Sequence, residues 1–224
     1  MKKPIKLMLS SLYGIFNGKD PEKVYISMAV HLINQFGINI TESEVRRRYS
    51  EPQRHFHTTN HLNDVLRQIF GTSFQNLEDL VSMVISGVFH DIIYDPKRKD
   101  NEERCVELLD DYTDISSIEE KEKVESIIEK SKKIILATKS HDKIHELISV
   151  FNDIDCSILD RSFKDLLKWE EQIYKEYEFA GWEQYKERRI KFLRLSIPDH
   201  MENEKNLNRL IQHIEQMDKI MKSK

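Results

Sequence analysis

Two histidines four residues apart, and a histidine beside an aspartate further along, are the residues of this chain with the clearest capacity for chemistry. The first two are His57 and His61, and the later pair is His90-Asp91. Four residues make about one turn of an α-helix, so His57 and His61 are expected on one helix face. Because imidazoles and carboxylates bind divalent transition metals, these residues predict a metal site.

A carboxylate from a distant segment is needed to close such a site, and Asp153-Ile154-Asp155 offers two. If His61 and Asp155 join His90-Asp91, the set is two imidazoles and two carboxylates, a mixed nitrogen and oxygen shell. That shell suits Mn²⁺, Fe²⁺, Co²⁺, Ni²⁺ or Zn²⁺. Water in the open coordination positions makes catalysis possible.

The elements that must hold these residues are helices. Glycine and proline are scarce, at six and five residues, and charged residues make up 33% of the chain. Apolar residues recur at three- and four-residue spacing, which is typical of amphipathic helices. We therefore expect an all-α, single-domain helical bundle over residues 1–224, with a metal-site core at about 49–160 and C-terminal helices 161–224 packed on it.

Capping signals predict where several helices begin. Thr41 with Glu44, and Ser117 with Glu120, have the spacing of capping boxes. Asn76 is expected to open a largely apolar helix. The predicted helices lie at about 21–36, 42–51, 55–70, 77–91, 101–109, 118–137, 142–151, 162–179, 188–195 and 206–221.

Two of these helices are expected to carry metal ligands. The segment at about 55–70 would hold both His57 and His61, and the apolar helix after it ends near His90-Asp91. Polar side chains at the end of a buried helix are costly unless something pairs them. A bound cation would pair them.

Composition excludes several classes of protein. The net charge is −4, and no basic block is large enough to follow a nucleic-acid backbone. Cys105 and Cys156 are too few for a disulfide framework, which fits a reducing cytoplasm. The N-terminus resembles a signal peptide only faintly, because Lys6 interrupts the order of charged and apolar residues. No apolar run reaches membrane length, so we expect a cytoplasmic protein without a membrane partner.

The order of His61, His90-Asp91 and Asp155 resembles the H…HD…D pattern of the HD superfamily of metal-dependent phosphohydrolases. Those are all-helical enzymes that hydrolyse phosphomonoesters or phosphodiesters. Residues 56–65 also resemble the Tyr-His-Asn-x-x-His-Ala-x-Asp-Val signature of cyclic-nucleotide phosphodiesterases. Phe56 and Thr58 depart from that signature, and its nucleotide-binding glutamine segment has no clear counterpart, so cyclic-nucleotide specificity is not expected.

A closer likeness is to a group of uncharacterised HD-superfamily hydrolase-like proteins, and it runs from about Tyr49 to the C-terminal helix. The segments that carry it are Arg54-His55-Phe56-His57, Phe89-His90-Asp91-Ile92-Ile93-Tyr94-Asp95, Asn101-Glu102, Ala137-Thr138 with His141, and Asp153-Ile154-Asp155. No substrate follows from this likeness.

The resemblance implies a set of metal ligands, namely His61, His90, Asp91 and Asp155, with Asp91 as the bridge if two ions bind. It favours Asp155 over Asp153, because Asp155 begins an Asp-Cys-Ser-Ile-Leu run that resembles the segment of the closing ligand. Asp153 stays the alternative, since it could be only a helix cap.

The resemblance also implies that His57 is the general acid. Its expected place, one helical turn before His61, is close to the ion yet leaves the imidazole free to hold a proton. Arg54 is expected to grip a phosphate oxygen with its fork of donors, with Lys97 and Arg98 in the same auxiliary role. The residues expected around the ligands are His141, Glu102 and Asp95.

The functional hypothesis is a phosphohydrolase acting on a small phosphorylated substrate, either a phosphomonoester or a phosphodiester, with nucleotides among the candidates. Water activated by one or two divalent ions (Mn, Fe, Co, Ni, Zn or Mg) would attack phosphorus in line. The alternative is a non-catalytic metal- or nucleotide-binding sensor or interaction module of the same fold. His57 favours the enzyme, because a pure binding site needs no free acid beside the ion.

Overall fold

The computed structural model describes residues 3–16, 24–140 and 145–221, and within these ranges the chain is built from α-helices and short 3₁₀ turns. The strand-like pairing there is one antiparallel bridge between Ile38 and Thr113. The predicted all-α class is confirmed. The helices are α1 (Lys3–Ile15), α2 (Val24–Asn34), α3 (Glu42–Arg48), α4 (Thr59–Gly71), α5 (Leu77–Phe89), α6 (Asn101–Asp111), α7 (Lys121–Ala137), α8 (Glu146–Asp155), α9 (Phe163–Tyr177), α10 (Trp182–Ser196) and α11 (Glu204–Met221).

The chain divides into two compact units, Met1–Ile154 and Asp155–Lys224. The boundary falls at the last residue of α8, so the rest of that helix belongs to the first unit. The predicted single domain, with C-terminal helices packed on a metal-site core, stays a prediction. Across the described ranges, every helix is too short or too polar to cross a lipid bilayer.

The first unit is organised around α5. This helix packs against α2, α4 and α7, and each of its residues from Leu80 to Phe89 is buried. Contact with neighbours on several sides explains why its sequence is apolar all round, whereas a surface helix shows an apolar stripe. The end of α5 is therefore deep in the unit, and that end is where His90 lies.

The second unit is formed by α9, α10 and α11, with α11 packed against the other two. Inside it, the buried carboxylate of Glu170 accepts hydrogen bonds from the Tyr185 hydroxyl at 2.6 Å and from Arg189 Nε at 2.7 Å. The Arg189 guanidinium also lies 3.8 Å from the centre of the Trp169 ring. These partners compensate for burying the two charges.

Two predicted N-terminal caps are confirmed. Thr41 Oγ1 accepts the backbone N–H of Glu44 at 3.2 Å, and Asn76 Oδ1 accepts that of Asp79 at 2.7 Å. Each cap pairs one of the donors that the first turn of a helix leaves free. The capping box predicted at Ser117 is wrong, because α7 begins at Lys121 without a side-chain cap.

Several helix boundaries differ from the prediction, and the largest shift is in α10, which begins at Trp182 and not near residue 188. Helix α4 begins at Thr59, because Thr58 has an extended backbone and its hydroxyl accepts the Asn60 N–H at 3.3 Å. Helix α8 continues beyond Phe151 to Asp155. Helix α1 was not predicted, although Leu9 and Leu12 are buried on one of its faces. The predicted start of α2, near residue 21, lies outside the described residues.

The turn after α2 depends on Gly37. Its φ is +78°, in the left-handed region that residues with a Cβ rarely adopt. A Cβ on Gly37 would lie 2.6 Å from the backbone oxygen of Asp114. The Asp114 N–H donates to the Gly37 carbonyl at 2.8 Å, so the two backbones cannot easily separate.

We predict that Gly37→Ala lowers the free energy of unfolding by about 2–4 kcal/mol, because backbone strain and a backbone clash add. The matched control is Gly71→Ala at the end of α4, where a Cβ meets nothing within 4 Å. Urea denaturation of both variants measures the difference. Equal stabilities would contradict the strained turn.

Candidate metal centre

Three side chains of the types that bind metals meet near the end of α5. They are His61 from α4, His90 directly after α5, and Asp155 at the end of α8, and one ligand atom of each lies within 4.8 Å of the other two. His90 is buried, and the others are partly buried. Among the described residues, this is the group of histidine, cysteine and acidic side chains close enough to share an ion.

The donors of this group fit a divalent ion. Imidazole nitrogen and carboxylate oxygen bind zinc at about 2.0–2.2 Å, so ligand atoms on a tetrahedral ion are about 3.3–3.6 Å apart. The three ligand atoms, which lie within 4.8 Å of one another, would therefore move together by up to about 1.5 Å to close on an ion. Two imidazoles and one carboxylate also suit Mn²⁺, Fe²⁺, Co²⁺ and Ni²⁺, and they leave coordination positions for water or substrate.

The helix that precedes His90 fixes the orientation of its ring. His90 Nδ1 lies 3.0 Å from the Gly87 carbonyl oxygen. Because a carbonyl can only accept a hydrogen bond, Nδ1 carries the proton and Nε2 of the neutral ring keeps its lone pair. The Phe151 ring packs edge-on against the same imidazole, with 5.5 Å between ring centres. A histidine that binds metal through Nε2 needs this tautomer.

The carboxylate of Asp91 lies among three imidazoles. Its Oδ2 is 3.3 Å from His90 Nε2, and 3.9 Å from Nε2 of both His57 and His61. Burial raises the pKa of the nearby Tyr49 phenol well above its ordinary value, and the negative charge of Asp91 adds to this effect. Asp91 is close to the three-ligand group without being one of its members, so its predicted role as a ligand stays a prediction.

His57 lies beside the site, but it is not on the helix that carries His61. Thr58 caps α4, so His57 is in the turn before it, and its predicted helical placement is wrong. The turn still leaves 5.7 Å between the ring centres of His57 and His61. The His57 ring also packs against Tyr94, at 4.3 Å between centres. His57 is outside the three-ligand group.

The two candidate aspartates of α8 occupy different environments. Both lie in the last turn of α8, which continues past the predicted end near residue 151. Two residues of an α-helix are about 200° apart around its axis, so Asp153 and Asp155 face nearly opposite directions. Asp155 joins His61 and His90, whereas Asp153 is exposed.

The expectation that Arg54 binds a phosphate oxygen is wrong, because its hydrogen-bond donors face acceptors of the protein. Its side chain is fully buried. Nη1 donates to the backbone oxygens of His57 at 3.0 Å and Asp91 at 2.8 Å, and Nη2 donates to that of Ile92 at 3.1 Å. Nε donates to the Glu51 carboxylate at 3.3 Å. These acceptors occupy the donors that a phosphate would require.

The loop after Asp91 holds the predicted auxiliary residues. Asp95 Oδ1 accepts the backbone N–H of Lys97 at 2.9 Å, which stabilises a turn. The exposed Arg98 guanidinium is bound to Asp100 through two hydrogen bonds, of 2.7 and 2.5 Å. Arg98 is thus engaged by a neighbouring carboxylate. The Asn101 amide fastens the loop to α6 by donating to the Asp95 carbonyl at 2.9 Å.

The remaining predicted neighbours are Glu102 and His141. The Glu102 carboxylate lies 3.9 Å from Lys139 Nζ, in an ion pair between α6 and the end of α7. His141 lies outside the described residues. Cys105 is no candidate ligand, because burial raises the pKa of its thiol to about 12 and keeps it protonated at neutral pH.

Sequence reasoning missed the aromatic walls of the site. Phe56 lies 4.8 Å from His61 between ring centres, Phe151 packs on His90, and Tyr94 packs on His57. Phe56 directly precedes His57 in the sequence, and Tyr94 follows His90 by four residues. Phe151 is remote from His90 in the chain, and only its helical spacing to Asp155 could have suggested a common face.

No protein-family model matches this chain, and no match was found among curated proteins or among solved structures. The likeness to the HD superfamily therefore stays a prediction from the sequence. The histidines and aspartates near the end of α5 are the features of this chain that support a function.

We predict that Asp155→Asn weakens binding of Mn²⁺ or Zn²⁺ roughly tenfold or more, because the amide has lost the charge that attracts the ion. The matched control is Asp153→Asn, two residues earlier on the opposite side of α8, which should bind like the wild type. Isothermal titration with each ion measures both affinities. An equal loss in the two variants would contradict the assignment of Asp155.

Proposed function

We propose that this chain is a metal-dependent phosphohydrolase of the HD type that acts on a small phosphorylated substrate. One observation carries the proposal: His61, His90 and Asp155 converge, while Asp91 and His57 remain beside them. Three ligands suffice to hold an ion with positions left open, which is the arrangement of catalytic rather than closed structural sites. The additional carboxylate and imidazole provide groups for proton transfer.

In the proposed reaction, different residues would bind the ion and transfer the proton. A divalent ion held by His61, His90 and Asp155 would supply Lewis acidity to a phosphoryl oxygen and lower the pKa of water. His57 holds a proton and gives it to the oxygen of the leaving group. Tyr94 packs on the His57 ring and limits its rotation, and the nearby Asp91 carboxylate attracts a positive charge on that imidazole.

We predict that purified protein releases phosphate or alcohol from phosphate esters only when Mn²⁺, Fe²⁺, Co²⁺, Ni²⁺, Zn²⁺ or Mg²⁺ is supplied. His57→Ala should lower kcat roughly 10²- to 10⁴-fold, as expected for the loss of a general acid, while bound metal stays unchanged. Asp91→Ala should lose activity. Turnover on a panel of nucleotides, sugar phosphates and nitrophenyl esters, with metal content by elemental analysis, measures both effects.

The matched control is His55→Ala, which removes an exposed histidine two residues before His57 and should keep wild-type kcat. The protein could bind metal, with a raised melting temperature, and still leave every ester intact. That result would overturn the proposed enzymatic activity and favour a binding module. Wild-type protein that holds no metal after incubation with these ions would overturn the metal centre as well.

A further inference from the structure

We propose that Arg54 is a positioning residue that holds the two ligand-bearing segments of the first unit in register. The inference rests on the proposed metal centre and extends it to a residue that touches neither ion nor substrate. The first segment is the turn with His57 that leads into α4 and His61. The second is the turn at residues 90–92, directly after α5.

The guanidinium joins these segments through their backbones. Nη1 donates both to the His57 carbonyl, in the first segment, and to the Asp91 carbonyl, in the second. Nη2 extends the contact along the second segment to the Ile92 carbonyl at 3.1 Å. One planar group thereby sets the separation of two turns that are more than thirty residues apart in the chain. The side chains on those turns inherit that separation.

Two tyrosines hold the guanidinium in place. Its central carbon lies 4.9 Å from the centre of the Tyr49 ring and 5.3 Å from that of Tyr94, distances typical of cation–π contacts. The fully buried Tyr49 donates its hydroxyl to the Val88 carbonyl in the last turn of α5, at 3.0 Å. Tyr94 also packs on the His57 ring. Arg54 is therefore fixed both to the end of α5 and to the imidazole beside the ligands.

The geometry requires an arginine rather than any cation. Three carbonyls and the Glu51 carboxylate accept from three different nitrogens of one rigid plane. A lysine has one nitrogen and cannot reach these acceptors together. Removal of the guanidinium would take these hydrogen bonds from the carbonyls of residues 57, 91 and 92, which would move toward water or other donors. The histidines on those segments would move with them.

The test compares Arg54→Lys and Arg54→Met with the wild type at a temperature where circular dichroism shows each protein folded. Titration with Mn²⁺ or Zn²⁺ should give affinities roughly 10- to 100-fold lower in both variants, as for the loss of a group that orients metal ligands. Histidine-ring NMR spectra of the metal-free proteins should show shifted signals for His57, His61 and His90. Arg54→Lys keeps the charge, so the test stands even if Arg54→Met does not fold.

The matched control is Arg189→Met, which removes another buried arginine bonded to a carboxylate and stacked on an aromatic ring. Its contacts with Glu170, Trp169 and Phe192 all lie in the second unit. This variant should lose stability yet keep both the metal affinity and the three histidine signals. A side chain that only stabilised the fold would give the same result at Arg54 as at Arg189.

The outcomes separate the two proposals. Unchanged histidine spectra and unchanged metal affinity in Arg54→Lys would overturn the positioning role and leave the metal centre intact. Wild-type protein that binds no metal would overturn the proposed function. In that case the metal-free histidine spectra would still decide whether Arg54 positions the rings.

Discussion

Burial of α5 along most of its length is the constraint on which the rest of the first unit depends. Its apolar side chains contact α2, α4 and α7. Two serines add polar links to α7: Ser82 donates to the Ile127 carbonyl and Ser86 to the Ser131 carbonyl, each at 3.2 Å. A helix held on several sides has little freedom to slide, because each shift would open voids in a close-packed interior. Its end is thus a fixed point.

The carbonyl groups at a buried helix end need hydrogen-bond donors from other parts of the chain. This need explains which side chains lie around the end of α5. The last carbonyls of a helix have no partner within it, and its C-terminus carries partial negative charge. Here Tyr49 donates to the Val88 carbonyl, and Arg54 donates to those of Asp91 and Ile92 just beyond. The same field favours a cation, whether a guanidinium or a metal ion. The Arg54 guanidinium and the candidate metal ligands therefore lie at the same helix end.

Local patterns in the sequence predicted the features that local physics determines. The cap at Asn76, the apolar run after it and the polar end at His90 all follow from neighbouring residues. The position of His57 did not follow from the sequence pattern. Thr58 caps α4, so the helix begins after His57 despite the four-residue spacing to His61. The direction of Arg54 was equally hidden, since its acceptors at residues 91 and 92 come from a distant segment.

The proposed ion ligands and the proposed acid, His57, lie on different kinds of local structure. His61 and Asp155 lie on helices, and His90 directly follows one, so the proposed ion ligands have the positional precision that regular elements provide. His57 lies on a turn, whose position depends on hydrogen bonds and ring contacts rather than on a helical backbone. Replacing the His57 side chain alone would therefore remove the proposed acid without taking a ligand from the ion, whereas loss of Arg54 would disturb the turn and the proposed ligands together. In the proposed function, ion binding and proton transfer depend on different side chains, which is why variants at residues 57 and 155 would report on separate functions.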